Sequence, residues 1–216
     1  MRAELVLYDY WRSGAGYRVR IGLNLKGLAY ERRAIDLRTG AQRDPAYQAL
    51  APQGLLPALI RGEQVLTQSL AILEWLEETY PKPRLLPREP VERAIVRAMA
   101  LLVAADIHPL GNLRVLNALR QGHGADDADV QAWIARWIGD GFAALERLIE
   151  RHGGGFAFGD APTLADCCLA PQVYAAKRFK VDLAPYPRLM AAHARAGALD
   201  AFADAHPSRQ SDADRG

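Results

Sequence analysis

Cysteine is nearly absent from this sequence. The 216 residues contain only Cys167 and Cys168, and the two are adjacent. Neighbouring residues rarely satisfy disulfide geometry, and no spaced set of cysteines is present for a zinc site or a disulfide framework. The pattern therefore excludes a disulfide-stapled scaffold and a cysteine-ligated zinc protein.

Long apolar runs and a leader-like start are also missing. We find no stretch of about 18 apolar residues, the length that could span a bilayer. The opening residues 1–10 carry Glu4 and Asp9, unlike a signal peptide. Half of the residues are hydrophobic, enough to bury a substantial core. We therefore expect a soluble, reduced, cytoplasmic protein with no membrane partner.

A large excess of charge of either sign is lacking as well. Lys and Arg total 27 against 25 for Asp and Glu, a formal net charge of +2. This near-balance does not suit a nucleic-acid binder that relies on a global positive field. Most of the positive charge is arginine, because lysine occurs only at Lys26, Lys82, Lys177 and Lys180. A high-GC genome would produce that bias, so each arginine must be argued from its position.

The first 80 residues alternate strand-like and helix-like patterns. A short apolar run, Leu5 to Tyr8, precedes a helical pattern that stops at Gly27, and alternation from Tyr30 to Leu37 is typical of a half-buried strand. After a weaker helical stretch, two strands joined across Arg61–Gly62 predict a hairpin. A strong helix from Ser69 follows. The order β-α-β-α-β-β-α indicates an α/β domain with a small mixed sheet.

A proline-rich stretch divides the chain. Four prolines fall within ten residues and are typical of a stiff linker, namely Pro81, Pro83, Pro87 and Pro90. Beyond it, helices are predicted over Val91–Leu119 (one long or two consecutive), Asp129–Arg151 and Thr163–Arg178, with shorter ones from Pro187 and Ala198. The polar segment after His206 is expected to fray. We predict an α/β domain at 1–81, a linker at 82–90 and an all-α domain at 91–216.

The Thr163-x-x-Asp166 spacing predicts a capping box at the start of a helix. In that arrangement, the Thr hydroxyl and the Asp carboxylate satisfy N–H groups of the first helical turn. We assign this pair to folding rather than to catalysis.

The segment Arg12-Ser13-Gly14-Ala15-Gly16 leaves the first strand and enters the first helix. Helix N-termini carry unpaired N–H groups and partial positive charge. A thiol has a reference pKa near 8.5, and lowering it by about two units needs roughly 2.7 kcal/mol of preferential anion stabilisation. A Ser13 hydroxyl donor at a helix N-terminus could supply an effect of that size. The alternative is that Ser13 only caps the helix.

Two further loops carry weaker signals. A Pro that begins a strand, as at Leu56–Pro57, leaves the N–H and C=O of the preceding residue able to pair with an extended peptide. The alternative is an ordinary strand-start proline, and cis and trans remain open. Ser69 is placed to cap a helix that begins at Leu70, where its hydroxyl and N–H could hold a carboxylate.

These segments resemble zeta-class glutathione transferases, the maleylacetoacetate isomerases. The active-site stretch of that family usually reads Ser-Ser-Cys-x-Trp-Arg-Val-Arg, and residues 13–20 here read Ser-Gly-Ala-Gly-Tyr-Arg-Val-Arg. The likeness continues through residues 53–59, 68–72, 74–78, 159–166, 170–173 and 178–183, so it covers nearly the whole chain.

The resemblance implies the glutathione transferase fold, a thioredoxin-like domain followed by an all-α domain, in a homodimer with glutathione as cofactor. We expect no metal site. It implies that Ser13 donates to the glutathione sulfur and that Leu56 pairs with the cysteinyl backbone ahead of a cis-Pro57. The γ-glutamyl end would be held by Gln68 and Ser69. Further family-type glutathione contacts would be Gln53, His108 and Asn112.

The chain departs from the family pattern at Gly14 and Ala15, where a second Ser and a Cys are usual. A second hydroxyl donor and a reactive thiol are therefore missing from this segment. Backbone N–H groups at Gly14 or Ala15 could still serve the sulfur. The missing Cys excludes a glutaredoxin-like covalent role here.

The family's reaction implies a small maleyl substrate with acidic ends, which planar guanidinium groups bind well. Arg12 and Arg178 match family positions and are expected to act in catalysis and on the substrate carboxylates. Arg114 has a place similar to that in the bacterial maleylpyruvate isomerases of gentisate breakdown; the alternative is a solvated helix residue. Maleylacetoacetate is expected first and maleylpyruvate second. A general glutathione-conjugating transferase and a non-catalytic protein on the same fold stay open.

Overall fold

The computed structural model describes residues 4–214, so the ends of the predicted domains at residues 1–3 and 215–216 lie outside it. Contacts divide the chain into two compact units, one of residues up to Leu85 together with those from Leu199 onward, and one of Leu86–Ala198. The domain limits predicted from the sequence place everything from residue 91 onward in the second domain. The segment from Leu199 belongs instead to the first unit.

The first unit is built on a four-stranded mixed sheet. Its elements are β1 (Leu5–Asp9), α1 (Gly14–Leu25), β2 (Glu31–Ala34), α2 (Pro45–Gln48), β3 (Ala58–Arg61), β4 (Gln64–Thr67), α3 (Ser69–Thr79) and α9 (Asp200–Ala205). The strand order is β2-β1-β3-β4, with β1 parallel to β2 and the other pairs antiparallel. The predicted order β-α-β-α-β-β-α is confirmed, and β2 is shorter than its alternation suggested.

Alternation in β1 sets the core of this unit. Leu5, Leu7 and Asp9 are buried while the residues between them are half-buried, which is the period-2 pattern of a central strand. Helix α1 covers this sheet and buries Val19, Ile21 and Leu23 completely. The sheet therefore ends on a buried carboxylate, Asp9, directly before the turn into α1.

A buried ion pair fastens the proline-rich stretch to this unit. Lys26, at the end of α1, donates to Glu77 at 2.7 Å and to the Pro83 carbonyl at 2.6 Å. The Leu85 N–H also donates to the same Glu77 oxygen, at 2.8 Å. Because both charges are buried, each would be strongly destabilising without the other. Their hydrogen bonds to Pro83 and Leu85 therefore fix the start of the linker to the first unit.

The second unit is helical. It contains α4 (Pro90–Leu101), α5 (Leu113–His123), α6 (Asp127–His152), α7 (Leu164–Arg178) and α8 (Pro187–Gly197). The region predicted as one long helix or two is two helices, separated by a π-helical turn (Leu102–Ile107) and a 3-10 turn (His108–Gly111). Pro109 has no N–H to continue a helical ladder, and the Asn112 side chain then caps α5.

The predicted capping box at α7 is present and buried. Asp166 is 1% exposed and accepts from the Ala157 N–H at 2.8 Å, the Thr163 N–H at 2.8 Å and the Thr163 hydroxyl at 3.0 Å. Burial raises the pKa of Asp166 to about 6, and the three hydrogen bonds limit the rise because they favour the charged form. One carboxylate therefore joins the start of α7 to the loop before it.

The segment after His206 does not fray as the sequence suggested. Helix α9 packs on α1, where Arg20 Nε donates to the Ala205 carbonyl at 2.9 Å and Asn24 donates to the Ala201 carbonyl at 3.0 Å. Farther on, Asp212 forms an ion pair with Arg32 at 2.6 Å. The polar residues that predicted fraying instead form charged contacts within the first unit.

We predict that Asp166→Ala destabilises the protein by about 3 kcal/mol, because three buried donors lose their acceptor at once. Asp129→Ala is the matched control: it removes the corresponding residue of the capping box at α6, where Asp126 and Asp129 are exposed, and should cost about 1 kcal/mol or less. Urea unfolding at pH 7 measures both. Equal losses would contradict burial as the cause.

The same pair of proteins gives a pH test. An unfolded Asp carboxyl ionises near its model value of 3.8, and the folded one near 6, so between these values the folded chain keeps a proton that the unfolded chain has lost. The stability that Asp166 contributes should fall as pH rises through this window, by up to about 3 kcal/mol. The gap between wild type and Asp166→Ala should therefore be wider at pH 4 than at pH 7; a constant gap would contradict the raised pKa.

Candidate active site

Ser13 lies between β1 and α1, at the N-terminal end of the helix. Its backbone is extended (φ −64°, ψ 117°), and its Oγ accepts a hydrogen bond from the Gly16 N–H at 3.1 Å. The Ser13 N–H donates to the Tyr10 carbonyl at 2.8 Å, which closes a tight turn before the helix. Because a hydroxyl can accept and donate together, the capping bond leaves the Ser13 proton for a ligand. The two roles considered for Ser13 are therefore compatible.

Gly14 and Ala15 are the first two residues of α1. N–H groups in a first helical turn lack helical partners and carry partial positive charge. An anion placed here would meet backbone donors as well as the Ser13 hydroxyl. Gly16 has a different cause: a Cβ at this position would overlap the carboxylate of Asp9, so close approach to β1 requires glycine.

A buried arginine that the sequence analysis did not single out holds this turn. Arg20 is fully buried; its guanidinium pairs with Asp9, donates to the Trp11 carbonyl at 3.0 Å and donates to the Ala205 carbonyl at 2.9 Å. The signal was in the sequence. Arg18 and Arg20 interrupt an otherwise apolar helical face, and buried arginines require specific partners.

The Leu56–Pro57 bond is cis, as the resemblance implied. The loop before it is fixed by the Tyr47 hydroxyl, which donates to the Leu55 carbonyl at 2.8 Å. Burial raises the pKa of Tyr47 and keeps that hydroxyl protonated. Within residues 4–214, no protein group hydrogen-bonds to the N–H or C=O of Leu56. Both groups can therefore pair with an extended peptide.

Gln68 adopts a backbone conformation that is rare for a side-chain-bearing residue. Its φ is 66° and its ψ 114°, in the positive-φ region that favours glycine. Its Nε2 donates to Gln53 Oε1 at 2.7 Å, so two predicted glutathione ligands are in direct contact. Strained conformations of this kind cluster at ligand sites, which supports a binding role.

The prediction that Ser69 caps a helix beginning at Leu70 is wrong by one residue. Helix α3 begins at Ser69 itself, and Gln68 occupies the cap position without a side-chain capping bond. Ser69 Oγ instead accepts from Arg18 at 3.2 Å, and both residues are buried. The Ser69 oxygen that was expected to cap the helix therefore accepts a hydrogen bond from Arg18 instead. The Ser69 proton and N–H still lie at the helix start, where they suit a carboxylate.

The remaining predicted residues are placed as follows. Arg12 is half-buried beside Ser13, with its guanidinium 5.1 Å from the Trp11 ring centre. In the second unit, His108 begins the 3-10 turn and the Asn112 side chain accepts from the Arg114 N–H at 3.1 Å. Arg178 ends α7, with its guanidinium over the ring of Phe179. The structure thus brings Arg12, Ser13, Gly14 and Ala15 into one turn.

The chain is similar to known proteins along nearly its whole length. The glutathione S-transferase N-terminal domain model matches residues 7–84, and the C-terminal domain model matches residues 131–195. A maleylpyruvate isomerase of Ralstonia sp. is 52% identical, over 95% of this chain and 98% of that protein. A maleylacetoacetate isomerase of Rhizobium meliloti (strain 1021) is 51% identical, over 97% and 99%.

Solved structures agree. A holo maleylpyruvate isomerase, described as a bacterial zeta-class glutathione S-transferase, superposes with a TM-score of 0.94 at 51% identity, over 96% of this chain and 99% of that one. The maleylacetoacetate isomerase of Anaeromyxobacter dehalogenans 2CP-1, with dicarboxyethyl glutathione and citrate in its active site, gives 0.87 at 46% identity, over 98% of both chains. With both transferase domains present and about half of its residues identical to these relatives along almost its whole length, this chain belongs to the zeta class of the glutathione S-transferase family.

Proposed function

We propose that this protein is a glutathione-dependent cis–trans isomerase that converts maleylacetoacetate to fumarylacetoacetate. The observation that carries the proposal is the Ser13 turn, where a hydroxyl with a proton to donate lies at the N-terminus of a 12-residue helix. Relatives at about 50% identity carry the names of maleylacetoacetate and maleylpyruvate isomerases, which supports the same activity here.

Glutathione is the proposed cofactor, held by the first unit. The Leu56 N–H and C=O would pair with its cysteinyl backbone ahead of Pro57, while Gln68 and Ser69 would take the γ-glutamyl end and Gln53 would support Gln68. The contact between Gln53 and Gln68 and the unusual backbone of Gln68 support this assignment. His108 and Asn112 are proposed as further contacts, and Asn112 keeps its amide N–H₂ for a ligand because capping uses only its oxygen.

The chemistry requires a thiolate and a place for developing negative charge. The glutathione sulfur forms a bond to one carbon of the cis double bond. The π electrons of that double bond move onto the conjugated carbonyl, which becomes an enolate. Rotation about the new single bond follows. Collapse of the enolate expels the thiolate and leaves the trans product, so glutathione is regenerated. The Ser13 hydroxyl and the Gly14 and Ala15 N–H groups would stabilise the sulfur anion.

Arg12 and Arg178 are proposed to bind the acidic ends of the substrate and to stabilise the enolate. A guanidinium stays charged and binds a carboxylate through two parallel hydrogen bonds. The Arg12 guanidinium, stacked on Trp11 next to Ser13, supports this role for Arg12. The relative with dicarboxyethyl glutathione in its active site supports an acidic substrate attached to sulfur.

Maleylpyruvate is the second candidate substrate, and Arg114 favours it. Arg114 is exposed in the first turn of α5, which has no acidic residue, and within residues 4–214 no acid lies in ion-pair range of it. A cation at a helix N-terminus is mildly unfavourable for the helix. Folding therefore gives no reason for this arginine, and binding of a carboxylate would give one.

A homodimer is proposed for the assembly. Three large apolar side chains are exposed at the helices that begin the second unit, namely Val91 at 64%, Leu101 at 48% and Leu113 at 51%. By length and composition, the run Pro90–His123 would also suffice to cross a membrane, yet only 28% of its most apolar window is buried. In a transferase fold, we take that exposed surface as the face of a subunit interface. Sedimentation of the purified protein distinguishes a dimer from a monomer.

The finer assignments of place and domain role are also proposals. The sequence carries only two cysteines, Cys167 and Cys168, which are adjacent and offer no spaced set for a disulfide framework, and this supports a reducing, cytoplasmic location. We assign glutathione binding to the first unit and a contribution to the substrate site to the helical second unit, Leu86–Ala198.

Replacing Ser13 tests the proposed function. Ser13→Ala should lower the kcat for isomerisation of maleylacetone about 5- to 30-fold, because the hydroxyl supplies about 1–2 kcal/mol to the thiolate. Ser13→Gly is the matched control for capping, since glycine replaces a cap residue at a cost of a few tenths of a kcal/mol. Both variants should lose the same activity while only alanine loses stability. An unchanged rate in both would move sulfur stabilisation to the backbone donors.

Arg114→Ala tests the second candidate. If Arg114 binds a substrate carboxylate, kcat/KM for maleylpyruvate should fall by about 10- to 100-fold, the range for a charged hydrogen bond, with a smaller loss for maleylacetone. Arg120→Ala, on the same helix and paired with Asp127, should leave both substrates unaffected. Equal losses for the two substrates would remove the reason to prefer maleylpyruvate.

A further inference from the structure

The peptide groups on both sides of Trp11 are bound by side chains from elsewhere in the first unit. The Trp11 N–H donates to Asp212 Oδ2 at 3.1 Å, and the Trp11 carbonyl accepts from Arg20 at 3.0 Å. Trp11 is two residues before Ser13 and lies inside the turn closed by the Ser13–Tyr10 hydrogen bond. The position of this turn therefore depends on a residue 201 positions away in sequence.

Asp212 also forms an ion pair within the first unit. Its Oδ1 lies 2.6 Å from the Arg32 guanidinium, and the side chains of Arg32 and Asp212 are only 12% and 20% exposed. Arg32 also reaches Asp9 at 3.3 Å, the same carboxylate that pairs with Arg20. One connected set of charges thus runs from the end of β1 to Asp212.

The stretch that carries Asp212, residues 206–214 and here called the distal segment, is placed by contacts of its own. The Arg20 bond to the Ala205 carbonyl fixes the end of α9 just before it. The His206 ring packs edge-on against Tyr17, with ring centres 6.0 Å apart. At the far end, Asp214 forms an exposed ion pair with Arg38 at 2.7 Å. The distal segment therefore crosses α1, the Trp11 turn and the loop after β2.

We propose that Asp212 is a positioning residue for the proposed thiolate site, and that the distal segment completes the turn that presents Ser13. This inference rests on the proposed function of Ser13. An error of about 1 Å in a catalytic group can cost about 100-fold in rate, so the fixing of Trp11 bears directly on how Ser13 meets the sulfur. Asp212 touches neither cofactor nor substrate in this proposal and acts through the Trp11 N–H.

Three variants separate this role from general packing. Asp212→Ala removes both the acceptor for Trp11 and the partner of Arg32. Asp212→Asn keeps an oxygen for the Trp11 N–H while removing the charge. Asp214→Ala removes an exposed ion pair two residues along the same segment and serves as the matched control, with little expected effect.

Three readouts are needed. The first is the pKa of enzyme-bound glutathione, measured by thiolate absorbance; the second is kcat and KM; the third is amide hydrogen exchange of residues 10–16 in the glutathione-free protein. We expect Asp212→Ala to raise the bound-thiol pKa by about one unit, to lower kcat about tenfold and to speed exchange in the turn. Asp212→Asn should restore kcat to within about threefold of wild type, because the hydrogen bond to Trp11 remains. KM for the substrate should stay unchanged.

A wild-type thiol pKa and exchange rate in Asp212→Ala would overturn the inference, as would an effect of the same size in Asp214→Ala. If Asp212→Ala does not fold, Asp212→Asn decides. Slow exchange in the turn together with a near-wild-type thiol pKa supports the role of Asp212. A loss of kcat as large as that of Ser13→Ala overturns it. Ser13→Ala measured alongside separates the two proposals. If it leaves the bound-thiol pKa unchanged, the proposed role of Ser13 fails, while exchange at residues 10–16 still reports whether Asp212 holds the turn.

Discussion

The ion pair between Asp9 and Arg20 is the interaction on which the rest of the first unit depends. Both side chains are completely buried, and removing one partner of such a pair typically costs about 3–5 kcal/mol because the other charge is left without compensation. Arg20 also donates hydrogen bonds to two main-chain carbonyls, those of Trp11 and Ala205. One side chain thereby joins the central strand, the turn at Ser13 and the end of α9.

This pair also explains local sequence features that would otherwise look unrelated. Gly16 cannot carry a side chain because the Asp9 carboxylate occupies that space. Arg32, on the neighbouring strand, contributes a second cation to the same carboxylate and extends the network to Asp212. The turn is therefore preorganised by buried electrostatics, and its strongest partners are non-local. A preformed turn does not have to be ordered when a ligand binds; in the proposed role of Ser13, more of the binding free energy is then left to stabilise the sulfur anion.

Local patterns predicted much of the fold, and non-local contacts account for the rest. The strands and helices of the first 80 residues follow from apolar periodicity, and the capping box at Thr163 and Asp166 from a three-residue spacing. The break between α4 and α5 was left open, because helical periodicity continues through the π-helical turn, and Pro109 and the Asn112 cap come only after it. The placement of the segment from Leu199 was missed for a related reason. Its polarity resembles that of a frayed end, and its partner Arg20 lies 185 residues earlier.

The candidate site shows the same division. Ser13 was identifiable because a strand, a short turn and a helix start are all local, whereas Arg18 and Arg20 were visible only as charges in an apolar helix. Composition alone could not distinguish the arginines proposed to bind substrate from the many others. Structure sorts them by partner: Arg20, Arg32 and Arg38 each face an acid and serve the fold. Arg114 faces none within residues 4–214 and lies where the helix dipole disfavours a cation by about 0.3–1 kcal/mol. An arginine that costs its own helix stability fits the proposal that Arg114 binds a substrate carboxylate from outside the chain.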